Sequence, residues 1–329
     1  MLGTSIWWRC FRMKEWLAMG AAAVGGAALA EWAGAKYLFH RTMVRSCLGI
    51  SNTQKEVEKD WEKYLPLIRE RRVWLESQNI EKVSIQSFDG LRLSGTVFPA
   101  EEPSKRTVLC LHGYTTSGIT QYAVLAPFYH SLGYNMVMVD ARAHGESEGE
   151  YIGFGCMERY DCRDWAEWAY KRFGGSVILH GISMGAATAL MASSFKMPYV
   201  KGIIADCGFT CAWDIFAAIL RKDYHMPPFP VLTLAERMAK KEAGFGFRDC
   251  TAPEEVSRTE IPILFIHGDE DNFVPSWMGR RNFEACTSEK YFLLVSEAGH
   301  AESYHKDPER YESCVRDFLK KYVSENICL

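Results

Sequence analysis

The chain has 329 residues, 48% hydrophobic and 24% charged, with a formal net charge of -3. This balance suits one large globular domain with a sizeable core and excludes an intrinsically disordered chain. With no Lys/Arg run interleaved with aromatics, it also excludes the electrostatic footprint of a nucleic-acid binder.

The N-terminus differs from the rest. "WLAMGAAAVGGAALA" (Trp16 to Ala30) is an uncharged apolar stretch preceded by Arg9, Arg12 and Lys14, which suits either a signal peptide or a short membrane anchor. Ala28 to Ala30 offers a signal-peptidase site, whereas the continuation through Glu31 into "WAGAKYLFHR" lengthens an uncleaved anchor. A single-pass anchor within residues 1–45 is the favoured expectation, ahead of a cleaved signal peptide. Positive charges flank the stretch equally, Arg9, Arg12 and Lys14 against Lys36, Arg41 and Arg45, so charge does not orient it across the membrane.

From Ser51 to about Gln78, apolar residues at helical spacing (Val57, Trp61, Tyr64, Ile68) in a charged background predict a surface helix bent at Pro66. "KVSIQSF", "DG" and "LRLSGTVF" then form a β-hairpin pattern. The later strands, "TVLCLH", "NMVMVD", "SVILH", "KGIIAD", "ILFIH" and "YFLLVS", are continuous apolar runs, as expected where both faces of a sheet are covered. Helical patterns lie between them, at about 120–131, 159–173, 185–194, 276–285 and 308–322. The alternation predicts an α/β fold: a mostly parallel central sheet with helices on both faces, led in by an antiparallel hairpin. One long interruption, about 208–250, holds two helical patterns and no strand, and reads as a lid over a site. The 11 cysteines are odd in number, several sit in apolar runs, and none shows CxxC spacing; buried thiols are expected, with no zinc site.

Two segments read GxSxG, "GESEG" at Gly145 to Gly149 and "GISMG" at Gly181 to Gly185. The second follows the strand "VILH" and opens the helix "AATALMASS", so Ser183 sits on a tight strand-to-helix turn that needs Gly on both sides. Such a turn projects the hydroxyl from the sheet edge beside a helix N-terminus, which favours negative charge. Ser147 is set off from its strand by "ARAH" and flanked by Glu146 and Glu148, whose charges disfavour a developing oxyanion.

A serine hydroxyl needs a base, and the base an orienting acid, both at the C-terminal sheet edge. "ILFIHGDEDNFVP" supplies acids there, and "YFLLVSEAGHAES" supplies His300 in the loop after the next strand. The order Ser, Asp, His is the one this architecture uses. His144 is the rival base, while His112, His180 and His267 each end a strand next to Gly and read as residues packed under a turn. For the oxyanion, the Met184 N–H is the first donor, and the Tyr114 N–H in "HGYTTS" the second.

With "HGYTTS", "DARAHGESEG", "GISMG", "HGDEDNFVP" and "AGH" in register, the chain over about residues 80–325 resembles the α/β-hydrolase superfamily, and within it the bacterial serine hydrolases related to prolyl oligopeptidase-like and serine aminopeptidase-like enzymes. The resemblance implies an α/β-hydrolase domain over 46–329. It implies Asp271 as the acid, three residues after the Gly of the HGxxDxxVP pattern, with Asp269 as the alternate. It also implies that Ser147 belongs to a scaffold loop, in which Ala143 stands where Gly is usual.

The expected activity is hydrolysis of a carboxylic ester through an acyl-enzyme by Ser183, His300 and Asp271, on a small-molecule acyl substrate, with no metal or organic cofactor. Phe209, Trp213, Phe216 and Phe229 of the lid suggest a hydrophobic acyl or alcohol portion. Peptide or thioester cleavage by the same machinery is the alternative, and a non-catalytic, membrane-tethered binding module is an alternative of another class.

Overall fold

The computed structural model of the protein describes residue 26, residues 29–45 and residues 61–323. Most of the apolar stretch from Trp16 to Ala30, and Val57 of the expected surface helix, lie outside these residues. No helix among the described residues is long and apolar enough to cross a membrane.

Eight strands form one sheet: β1 (Glu81–Gln86), β2 (Arg92–Phe98), β3 (Arg106–Leu111), β4 (Asn135–Val139), β5 (Ser176–Ile182), β6 (Val200–Asp206), β7 (Ile263–Gly268) and β8 (Lys290–Val295). Their order is β1-β2-β4-β3-β5-β6-β7-β8. Pairing is antiparallel where β2 meets β1 and β4, and parallel from β4 through β8. This is the α/β-hydrolase fold that the motifs implied. The apolar runs follow from covering both faces. Leu109, Val137, Leu179, Ile203 and Phe265 enter one core cluster, while their neighbours Val108, Met136, Ile178, Ile204 and Leu264 enter a second on the opposite face.

Among the described residues two helices precede the sheet, α1 over residues 29–43 and α2 (Leu65–Glu76). Pro66 begins α2 rather than bending a longer helix, because in the first turn its missing N–H forfeits no intrahelical bond. The single helix expected at 120–131 is two, α3 (Gly118–Tyr122) and α4 (Ala126–Ser131). Pro127 separates them: lacking a donor for a carbonyl four residues back, it restarts the run at its own first turn. On the other face lie α5 (Glu158–Phe173) and α6 (Met184–Ala192), the helix that Ser183 opens.

Between β6 and β7 the insertion folds as α7 (Ala212–Asp223) and α8 (Val231–Glu242), followed by α9 (Ala252–Val256). It closes at its base where the Ala252 N–H donates to the Thr210 carbonyl at 2.7 Å. Phe209 and Phe216 pack into the core, and no residue of the insertion lines the cavity at Ser183. Phe209 and Phe216 are buried, Phe216 lies 4.8 Å from Phe154 and 5.0 Å from Phe247, and the Arg248 guanidinium covers Trp213 at 3.9 Å. Phe229 is 71% exposed. The described residues end in α10 (Ser276–Ala285), α11 (Ser303–Lys306) and α12 (Pro308–Tyr322).

Candidate active site

The turn between β5 and α6 is forced by close approach. A Cβ at Gly181 would collide with the Gly185 carbonyl, and one at Gly185 with the carbonyls of Leu111 and His112. With both glycines spent on proximity, the intervening residue takes the bend: Ser183 has φ 57° and ψ -114°, unusual for a residue with a side chain. Its N–H donates to the Asp206 carbonyl at 2.8 Å, which ties the strained residue to the end of β6. Other side-chain-bearing residues with positive φ gather in the loops at this edge, Thr115, Ala143, Cys207 and Ala301. Ala143 thus keeps the left-handed backbone that Gly would adopt freely.

The Ser183 hydroxyl lies 2.8 Å from His300 Nε2, and His300 Nδ1 lies 2.8 Å from Asp271 Oδ2. With the ring proton on Nδ1 facing the carboxylate, Nε2 is the acceptor for the hydroxyl. The second carboxylate oxygen of Asp271 accepts the N–H groups of Phe273 at 2.9 Å and Val274 at 2.8 Å. Burial pushes the Asp271 carboxyl up, but His300, hydrogen-bonded to it, and His267, whose Nε2 lies 3.5 Å from it, hold it below the ordinary carboxylate range. Asp269 points elsewhere, accepting the Glu297 N–H at 2.8 Å.

Ser147 is 1% exposed. Its hydroxyl donates to the Asp140 carbonyl at 2.6 Å and accepts the Ser94 N–H at 2.8 Å, so it braces a loop against β2. His144, the rival base, is likewise structural. Its Nδ1–H donates to the Arg142 carbonyl at 3.0 Å and its Nε2 accepts the Thr115 N–H at 3.2 Å. His112 completes the lacing: its Nδ1–H donates to the Gly113 carbonyl at 2.6 Å and its Nε2 accepts the Ala141 N–H at 3.0 Å. Burial lowers these two imidazoles to about 4 for His112 and about 3 for His144, so both stay neutral acceptors near pH 7. Together they fasten the loop after β3 to the loop after β4.

His180 lies between the hydroxyls of Tyr129 and Tyr311 at 2.8 and 3.0 Å. His267 donates from Nε2 to the Val274 carbonyl at 2.9 Å, under the turn that presents Asp271.

The Gly113 backbone lies against Ser183, with room for a Cβ only at 3.4 Å from the Ser183 Cβ. Gly113, Tyr114 and Thr115 border the same cavity as Ser183 and His300. Met184 is the first residue of α6, so its N–H has no intrahelical acceptor and is available at the helix start.

Two contributors were not singled out from sequence. Asp206, the buried last residue of β6, accepts the Ser303 hydroxyl at 3.0 Å, and burial pushes its carboxyl up to about 6. An acid closing an apolar strand, the signal that marked the loop after β7, also marked this one. Glu302 accepts the Gly299 N–H at 2.9 Å and pairs with Lys63 at 2.9 Å, fastening the start of the His300 loop to the segment before α2.

A family model described as the alpha/beta hydrolase family matches residues 108–313. The YqkD protein of Bacillus subtilis is 30% identical over 226 residues, 68% of this chain and 73% of that one. The lysophosphatidylserine lipase ABHD12 of Macaca fascicularis is 26% identical over 242 residues, 68% of this chain and 58% of that one. Among solved structures, an esterase of Pyrococcus furiosus superposes with a TM-score of 0.61 at 24% identity, covering 75% of this chain and 92% of that one.

Proposed function

The chain belongs to the α/β hydrolase family, and from that premise we propose that it is a serine hydrolase cleaving a carboxylic ester through an acyl-enzyme. The observation that carries this reading is the unbroken relay from the Ser183 hydroxyl through His300 to Asp271, each link 2.8 Å long. The relative named as a lysophosphatidylserine lipase supports acyl-ester chemistry.

Ser183 Oγ attacks the ester carbonyl carbon as its proton passes to His300 Nε2. Asp271 holds the Nδ1–H and balances the charge on the imidazolium, and the Tyr114 and Met184 amides donate to the oxyanion. The tetrahedral intermediate collapses, the C–O bond breaks, and the departing alkoxide takes the proton from His300. Water then repeats the sequence on the acyl-Ser183 ester, releasing the carboxylic acid and restoring the hydroxyl.

A fluorophosphonate probe tests the nucleophile: wild type and Ser147→Ala are expected to label, and Ser183→Ala is not. A folded wild type that fails to label refutes the enzyme reading. Turnover of aminoacyl anilides without any turnover of p-nitrophenyl esters refutes ester specificity.

Residues 1–45 tether the enzyme to a membrane in this reading, supported by the uncharged stretch from Trp16 to Ala30 and its basic flanks. Full-length protein with an intact N-terminus found in the soluble fraction without detergent refutes the tether.

A further inference from the structure

We propose that the first turns of α2, together with Trp61 of the segment before it, form one wall of an acyl-chain site, which takes a neutral, medium-length apolar acyl group. This rests on the ester-hydrolase reading of Ser183 and adds the substrate class. A cavity of about 330 Å³ opens at Ser183 and His300. Trp61, Leu65 and Ile68 line it, with Val124, Leu125 and Phe273 among the other apolar residues.

Leu65 and Ile68 share one face of α2, and Trp61, on the segment before its N-cap Tyr64, lines the same cavity. That face is only half-buried, and the fully buried residue of α2 is Leu75, near its far end. The N-terminal half of the helix thus presents an apolar stripe to the space above Ser183 rather than to the core. It is held there from the His300 side. Lys63 pairs with Glu302 at 2.9 Å, and Tyr64 stacks on His305 with ring centroids 4.4 Å apart.

The chemistry of the lining selects the chain. No Lys or Arg side chain among the described residues lines the cavity, and His305, lowered to about 4 by burial, is neutral near pH 7. An anionic acyl tail would therefore find no opposite charge to offset the loss of its hydration, and the carboxylate of Asp206 lines the same cavity. None of the lining residues comes from 208–250, so the insertion does not set chain length. A cavity of this size beside Ser183 has room for more than an acetyl group, which suits an acyl chain of medium length.

The test is a chain-length series of p-nitrophenyl esters, acetate to palmitate, on the full chain. Wild type is expected to peak near the octanoate. Leu65→Trp and Ile68→Trp, which fill the cavity, are expected to lower kcat/KM on octanoate at least tenfold and on acetate less than threefold. Leu65→Ala and Ile68→Ala, which enlarge it, are expected to move the optimum to longer chains, so the proposal does not depend on the Trp variants folding. Leu67→Trp, on the exposed face of α2, is expected to leave the profile unchanged. A wild-type optimum at acetate overturns the proposal, as do equal losses at every chain length or an optimum unmoved by the Ala variants. In each of those cases turnover and fluorophosphonate labelling of Ser183 would survive. Loss of both labelling and ester turnover in wild type would instead sink the underlying hydrolase reading.

Discussion

Asp271 divides its carboxylate between two tasks: one oxygen meets His300 Nδ1 at 2.8 Å, and the other accepts the amides of Phe273 and Val274. The loop thereby fixes the plane of the carboxylate, and the carboxylate fixes the imidazole. Asp271→Asn keeps the shape but can present N–H where His300 needs an acceptor, favouring the wrong tautomer. We expect kcat on an ester to fall by roughly 10³ to 10⁴-fold, with Asp269→Asn close to wild type. If Asp269→Asn carries the loss instead, the acid has been misassigned.

His144 reaches the site through the Thr115 N–H, which it accepts at 3.2 Å. Removing that acceptor in His144→Ala frees the loop bearing Tyr114, whose amide is proposed to meet the oxyanion. The effect should fall on the transition state: kcat lower by about 10 to 100-fold with KM nearly unchanged, and partial recovery in His144→Asn, whose side-chain oxygen can accept. A rise in KM at constant kcat would show that His144 shapes substrate binding instead.

Gly185 packs with no room for a side chain, since a Cβ would meet the backbone carbonyls of Leu111 and His112. Backbone cannot step aside as a flexible side chain can. Gly185→Ala should destabilise the fold by about 3 kcal/mol, read as a lower denaturation midpoint. A variant as stable as wild type would mean that the elbow is looser than this packing requires.

Asp206 gives a pH test. Burial pushes its carboxyl up to about 6, with Ser303, Tyr311, His267 and His300 acting in the opposite direction. From the ordinary carboxylate range near 4 up to about 6, the folded chain keeps a proton that the unfolded chain has released. Its contribution is therefore fully present at low pH and is lost as pH rises through that window. Asp206→Asn carries no such charge and retains an acceptor for the Ser303 hydroxyl. It should be more stable than wild type at pH 7, on the order of 2 kcal/mol, and should remove this part of the fall between pH 4 and 6. Urea denaturation across that range measures it; an unchanged slope with lower stability at pH 7 would refute the assignment.

The central sheet was legible in sequence because a strand covered on both faces must be apolar at every position, as in "NMVMVD", and the turn that carries Ser183 was legible because it demands glycine on both sides. The motif resemblance pointed to Asp271, and His300 followed from its place after an apolar strand. The boundaries of α2, α3 and α4 were misjudged where Pro66 and Pro127 start helices, since periodicity records which face is apolar and not where the hydrogen-bond ladder begins.

What the sequence by itself determined was the set of groups delivered to one sheet edge, because strand ends and tight turns are local. Only the tertiary structure sets Asp271 rather than Asp269 against His300, places His144 between the loops after β3 and β4, and lines the cavity at Ser183 with residues of α2 and none of 208–250. Each of these depends on contacts between residues far apart in the chain, such as Tyr64 with His305, and side-chain direction across such distances is set by packing rather than by any spacing along the chain.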